Sequence, residues 1–259
     1  MKNLDSLWND FETKNEKGYE WHARNLHLVG LQHGPIFNLF FQYLPEERPL
    51  TFFERHLDSF LSKTLPSKAW SFNTQGICPK LCFSPSFPER PLVLSLKRRF
   101  FVLSESMAIF DLWLPLDLSI SCPTFKRHLG NFHLAPLKET WFGECSAKGE
   151  ICYSVKEIKK PEISSLYFSM KVKIINKSPH NFPVEKIKIP LSYMGLYQNE
   201  QKEFYSDTLI FKQDLSPEHE PKIQLISPNS QEKKKSTLLV APQKTDINFL
   251  SKALSKIYD

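Results

Sequence analysis

The chain predicts a mainly β fold: an antiparallel β-sandwich, or two linked sandwiches, with a short C-terminal α-helix. Three observations carry this. Apolar and polar residues alternate with a period of two through several long stretches, which is the signature of strands with one buried face. Glycine is scarce at 8 residues, while proline at 19 punctuates short strands and marks their edges. Hydrophobic residues make up 41% of the 259, ample for a core of this kind.

The clearest alternation lies in residues 164–193. Leu166, Phe168, Met170, Val172 and Ile174 alternate with Tyr167, Ser169, Lys171 and Lys173, and after a turn-rich gap Ile187, Ile189, Leu191 and Tyr193 alternate again. The two runs read as a hairpin. A register pairing Ile174 with Ile187, Val172 with Ile189 and Met170 with Leu191 keeps both apolar rows on one face. It also sets Lys173 beside Lys188. Like charges directly opposite are unfavourable, so an anionic group is expected nearby, or the face is wet.

The remaining elements follow in order. Residues 19–31 and 36–44 flank Gly34-Pro35 and read as an N-terminal hairpin. Residues 48–63 place Phe53, Leu57, Phe60 and Leu61 at helical spacing and read as a short helix or crossover. Residues 66–91 read as irregular loop with a short strand or two. Leu92, Leu94 and Leu96 begin a strand that Lys97-Arg98-Arg99 interrupts. Residues 107–120 form a long alternating strand with Asp111 and Asp117 on its polar face and Pro115 at an edge or bulge. Residues 131–141 and 150–158 are two more strands, and 204–211 adds another. The charged run 214–235 reads as loop. Residues 247–258 form an amphipathic helix with Phe249, Leu250, Leu254 and Ile257 on its apolar face, a surface for docking to the protein itself, to a partner or to a membrane. The expected domains are residues 1–75 (hairpin and connecting region), 76–212 (the main sandwich) and 213–259 (polar linker and helix).

The chemistry-bearing motifs are few. There is no G-x-S-x-G elbow, no P-loop, no H-E-x-x-H and no C-x-x-C. The five cysteines are odd in number and irregularly spaced, and a polar, acidic start gives no secretory signal; together they predict reduced thiols in the cytoplasm. His22, His27 and His33 cluster near the first hairpin, but no carboxylate or cysteine joins them at ligand spacing, so they read as structural. Asp111 and Asp117 lie about 20 Å apart along an extended strand, too far for a catalytic pair, and read as solvent-exposed. Cys152 with His133, and Cys145 beside Lys148, are the candidate reactive thiols. No catalytic residue, metal or cofactor is assigned. The net charge of +6 permits anionic partners. Lys171, Lys173, Lys186 and Lys188 form the candidate anion-binding or partner surface, and they are too thin a basic set for nucleic acid to be expected. No apolar run reaches the ~18 residues of a membrane helix.

The segment Lys138-Glu139-Thr140-Trp141-Phe142-Gly143, followed by Gly149-Glu150-Ile151-Cys152-Tyr153, resembles the pattern of the uncharacterised prokaryotic domain of unknown function 432 family. Asn131-Phe132, the Pro115–Asp117 strand and Asn176 extend the likeness over roughly residues 77–211. The resemblance implies no assigned activity. Gene neighbours of some family members, small-conductance mechanosensitive channels, imply an accessory role at a membrane. The expectation is therefore a non-enzymatic cytoplasmic binding or regulatory module, peripheral to a membrane, whose partner is a protein or an anionic membrane surface. A hydrolase-like enzyme with a loop-assembled site is the alternative.

Overall fold

The computed structural model describes residues 2–3, 7–61, 65–66, 68–143, 149–156, 161, 164–214 and 222–243. The expected C-terminal helix, with Phe249, Leu250, Leu254 and Ile257, lies outside these residues, as does Cys145. The fold is mainly β, with antiparallel and mixed sheets. The chain forms two compact units, Met1–Ser86 with Asp117–Pro136, and Phe87–Leu116 with Leu137–Asp259.

The first unit holds two four-stranded sheets. One is built on the N-terminal hairpin, in which Lys17–His33 pairs antiparallel with Ile36–His56 around the turn at Gly34. Gly34 has a φ of +52°, a conformation that costs glycine nothing. The second strand runs on to His56, so residues 48–56 are strand and only Asp58–Leu61 is helical. Aromatic pairing decides this: Phe52 lies opposite Trp21 and packs with Tyr19, Trp21 and Phe11 at centroid distances of 5.2–6.3 Å. The second sheet runs Arg127–His133, Asp117–Cys122, Lys80–Ser86, Asp10–Glu12, antiparallel throughout.

The second unit holds a four-stranded and a seven-stranded sheet. Tyr167–Asn176 is central to the larger one. It pairs antiparallel with Met107–Pro115 and parallel with Thr208–Gln213 and Phe204–Ser206. Phe182–Ile189 belongs to the smaller sheet, antiparallel to Leu92–Val102, which in turn runs parallel to Glu150–Lys156. The expected 164–193 hairpin therefore does not form. Its two strands enter different sheets.

The reason is visible at Asn176. Its buried amide nitrogen donates to the carbonyls of Val102 (3.0 Å), Leu103 (3.0 Å) and His180 (2.8 Å), and its oxygen accepts from the backbone and hydroxyl of Ser178. This clamp carries the chain across to the smaller sheet. Val172, Ile174, Ile187 and Ile189 are all buried, as alternation requires. Alternation assigns a face, but a strand can bury that face against a facing sheet as well as beside a hairpin partner.

The 107–120 run is also divided. Met107–Pro115 ends at the proline in the second unit, and Asp117–Cys122 begins a strand of the first. The Lys97-Arg98-Arg99 interruption is a register shift inside one strand: Ser95 pairs with Lys186, and Phe100 with Val184. The 214–235 run is less irregular than expected. It contains the strand Lys222–Ile226 and a one-turn helix, Ser230–Lys234, capped by Asn229.

Candidate functional site

A cavity of about 500 Å³ opens on the outer face of the larger sheet of the second unit. The alternation that buries Phe168, Met170 and Val172 turns Ser169 and Lys171 outward. Asp111 lies directly across from Lys171, and Tyr205 directly across from Ser169, so these four share that outer face. Lys171 and Asp111 make an opposite-charge cross-strand pair, which is favourable. The Lys173–Lys188 pairing beside which an anion was expected does not form: Lys173 lies opposite Ile109 and Lys188 opposite Val93. Tyr205 stacks on its own cross-strand neighbour Tyr197, with centroids 5.4 Å apart.

Two polar segments wall the cavity. The turn after the strand Leu196–Asn199 closes on itself: the Glu203 backbone donates to Asn199 Oδ1 (2.8 Å), and Asn199 Nδ2 donates to Glu203 Oε2 (3.3 Å). Lys202 takes a left-handed φ of +61° there, and Glu200 and Glu203 line the cavity. The helix Ser230–Lys234 contributes Glu232 and, just past its end, Lys235. Glu232 Oε2 accepts from the Asn229 backbone, and Asn229 Oδ1 accepts from the Glu232 backbone, a reciprocal cap that fixes the carboxylate. The lining thus sets the four carboxylates Asp111, Glu200, Glu203 and Glu232 against the two ammonium groups Lys171 and Lys235, among the hydroxyl-bearing residues Ser169, Tyr205 and Thr208. Acceptors outnumber cations, so the cavity suits a solute that donates hydrogen bonds. Sequence reasoning missed Glu200, Glu203 and Glu232 because nothing in their spacing brings a turn and a one-turn helix over the separate strands that carry Asp111 and Lys171.

The four lysines of the expected anion surface do not form one ridge. Lys171 and Lys173 belong to the larger sheet, Lys186 and Lys188 to the smaller. Lys186 is exposed, but Lys188 is only 3% exposed. Its ammonium pairs with Glu150 and lies 5.5 Å from the Phe142 ring. Close by, Cys152 is buried with Val93 and Phe142, and its thiol donates to the Glu150 carbonyl at 3.8 Å. Burial first, and the Glu150 charge second, push the Cys152 thiol up to about 11, so it is a packing residue at neutral pH.

Asp117 corrects a second expectation. It is 1% exposed, not solvated, and His133 Nδ1 donates to its Oδ2 at 2.8 Å. The break after Pro115 places it on a new strand, whose partner strand carries His133 directly opposite. Cys152 and His133 belong to different units, and each side chain has a partner in its own.

The histidines of the first hairpin divide. His33 is exposed and faces Glu16 at 3.4 Å. His22 and His27 meet each other and a carboxylate, that of Glu20, contrary to the expectation that none would join them. The four described cysteines, Cys78, Cys82, Cys122 and Cys152, are free. Among the described residues no helix is long and apolar enough to cross a membrane.

Residues 10–256 match the family model described as Protein of unknown function (DUF432), and the chain belongs to that family. Comparison with curated proteins and with solved structures gave no match.

Proposed function

We propose that this DUF432 protein is a non-enzymatic binding or regulatory module whose second unit takes up a small solute rich in hydrogen-bond donors, hydroxylated or amine-bearing. One observation carries the reading: the cavity of about 500 Å³ whose lining sets four carboxylates and a row of hydroxyls against two lysines. Its size is that of a small-ligand site, and its polarity selects against apolar ligands. The residues weighed for catalysis do not gather there. Of Asp111, Asp117, His133 and Cys152, only Asp111 lines the cavity. The module acts in the cytoplasm, a setting supported by the free thiols Cys78, Cys82, Cys122 and Cys152. There it serves as an accessory to a membrane protein such as a mechanosensitive channel, with solute occupancy as its input.

The test is a thermal-shift panel of neutral sugars, polyols, diamines and multivalent anions. A sugar, polyol or diamine is expected to raise Tm in a saturable way, and Glu203→Gln with Glu232→Gln to abolish the shift. If only anions stabilise, or if the double variant responds as wild type does, the reading is wrong. A hydrolase is the second reading, favoured by the Asp117–His133 pair, since a buried carboxylate holding a histidine is how a general base is oriented. It requires hydrolysis of a generic ester or glycoside that His133→Ala removes.

A further inference from the structure

Three side chains of metal-ligating type from a single strand of the first unit converge. Glu20 and His22 are two residues apart on Lys17–His33 and share a face. His27, five residues beyond His22, would face the other way in a regular strand. An irregularity at Arg24 resets the parity. The pairing steps from His22–Thr51 to Arg24–Arg48 to Leu26–Tyr43, with register shifts at each step, and Arg24 takes a left-handed φ of +55°. His27 is thereby turned to the side of Glu20 and His22.

The resulting geometry suits a metal ion. Glu20 Oε1 lies 3.0 Å from His27 Nε2 and 3.7 Å from His22 Nε2, the two imidazoles meet edge to face at 4.3 Å, and the three donor atoms all fall within 4.8 Å of one another. Ligands about 2.1 Å from a tetrahedral zinc are separated by about 3.4 Å, a value the two measured distances bracket. The side chains of Glu20, His22 and His27 are 12%, 7% and 12% exposed, so bulk water competes weakly. Behind His27, Gln42 Nε2 lies 3.1 Å from Nδ1. Ligating histidines are held by such a partner on their second nitrogen, and with metal on Nε2 the amide would turn to accept from Nδ1–H.

We propose that Glu20, His22 and His27 form a site for a divalent transition-metal ion, zinc foremost, with its fourth position open to water or to a ligand. Two imidazoles among three donors select against magnesium and calcium, which require oxygen ligands.

The full chain, stripped with chelator, would be titrated with Co²⁺ and then Zn²⁺, following the visible d–d band of four-coordinate cobalt and its displacement. Wild type is expected to take one equivalent of either ion. Glu20→Gln and His27→Gln, which keep side-chain volume, should each lose at least about 100-fold in affinity, Gln42→Ala about 10-fold, and His33→Gln nothing. X-ray absorption of zinc-loaded wild type, which does not depend on any variant folding, should count two imidazoles and no sulfur. Failure of wild type to bind stoichiometrically, wild-type affinity in Glu20→Gln and His27→Gln, or sulfur in the coordination sphere would overturn the site.

Discussion

His133 donates from Nδ1 to the carboxylate of Asp117 at 2.8 Å, across two neighbouring strands and with the aspartate wholly buried. A charge-assisted bond in such surroundings is worth more than a surface ion pair, because its loss leaves a desolvated charge with fewer donors. His133→Ala is expected to destabilise the first unit by about 1–3 kcal/mol. Urea denaturation followed by tryptophan fluorescence checks it. An unchanged midpoint would mean that Asp117 is satisfied without the histidine.

Asn176 tests the crossing between the sheets of the second unit. Its amide donates to three carbonyls at once. Asn176→Asp keeps the shape but replaces the donor with a negatively charged acceptor facing three carbonyl oxygens. The expected loss is at least about 2 kcal/mol, since several buried polar groups are left unsatisfied together. Thermal unfolding within a degree of wild type would show that backbone pairing alone holds the crossing.

The Cys152 thiol gives a pH prediction whose sign is fixed. Burial, and then Glu150, raise it from 9.0 to about 11 in the fold. The unfolded chain therefore releases this proton first, and linkage makes stability fall with rising pH. The contribution is intact below about pH 9 and is lost between about 9 and 11. Cys152→Ala should flatten that part of the stability–pH curve. Native Cys152 should also resist alkylation at pH 8, as read by peptide mapping, and rapid labelling there would refute its burial.

Lys188 and Lys173 should behave oppositely. Lys188→Glu sets a second carboxylate beside Glu150 at a buried position, and unpaired buried charge costs several kcal/mol. Lys173→Glu, at a half-buried position on the larger sheet, should leave the melting curve within about 0.5 kcal/mol of wild type. Equal behaviour of the two would contradict their separation into different sheets.

The contrast shows what alternation could and could not disclose. That Phe168, Met170, Val172, Ile174, Ile187 and Ile189 turn inward was legible, because side-chain direction is a local property of a strand, but Tyr167 and Lys188, expected on the polar face, are buried as well. The strand's neighbour was not legible, because a hairpin and a crossing between facing sheets bury the same two rows. The Gly34 turn was readable from two residues. The Glu20, His22 and His27 cluster was not, because the bulges that unite it arise from cross-strand register, on which one strand's sequence is silent. The cavity carboxylates were hidden for a related reason: Asp111, Glu203 and Glu232 come to line one cavity only once four separate pairings are in place. The Leu116–Asp117 step also escaped notice, since a proline one residue earlier signals an edge as readily as a change of sheet.

Amide chemical-shift mapping with the most stabilising sugar, polyol or diamine tests the cavity most directly. Saturable shifts are expected at Asp111, Ser169 and Lys171, along Asn199–Tyr205 and at Glu232–Lys235, with the Glu203→Gln, Glu232→Gln double variant silent. Saturable shifts confined to residues outside this set, or none with any solute that raises Tm, would contradict a ligand in that cavity.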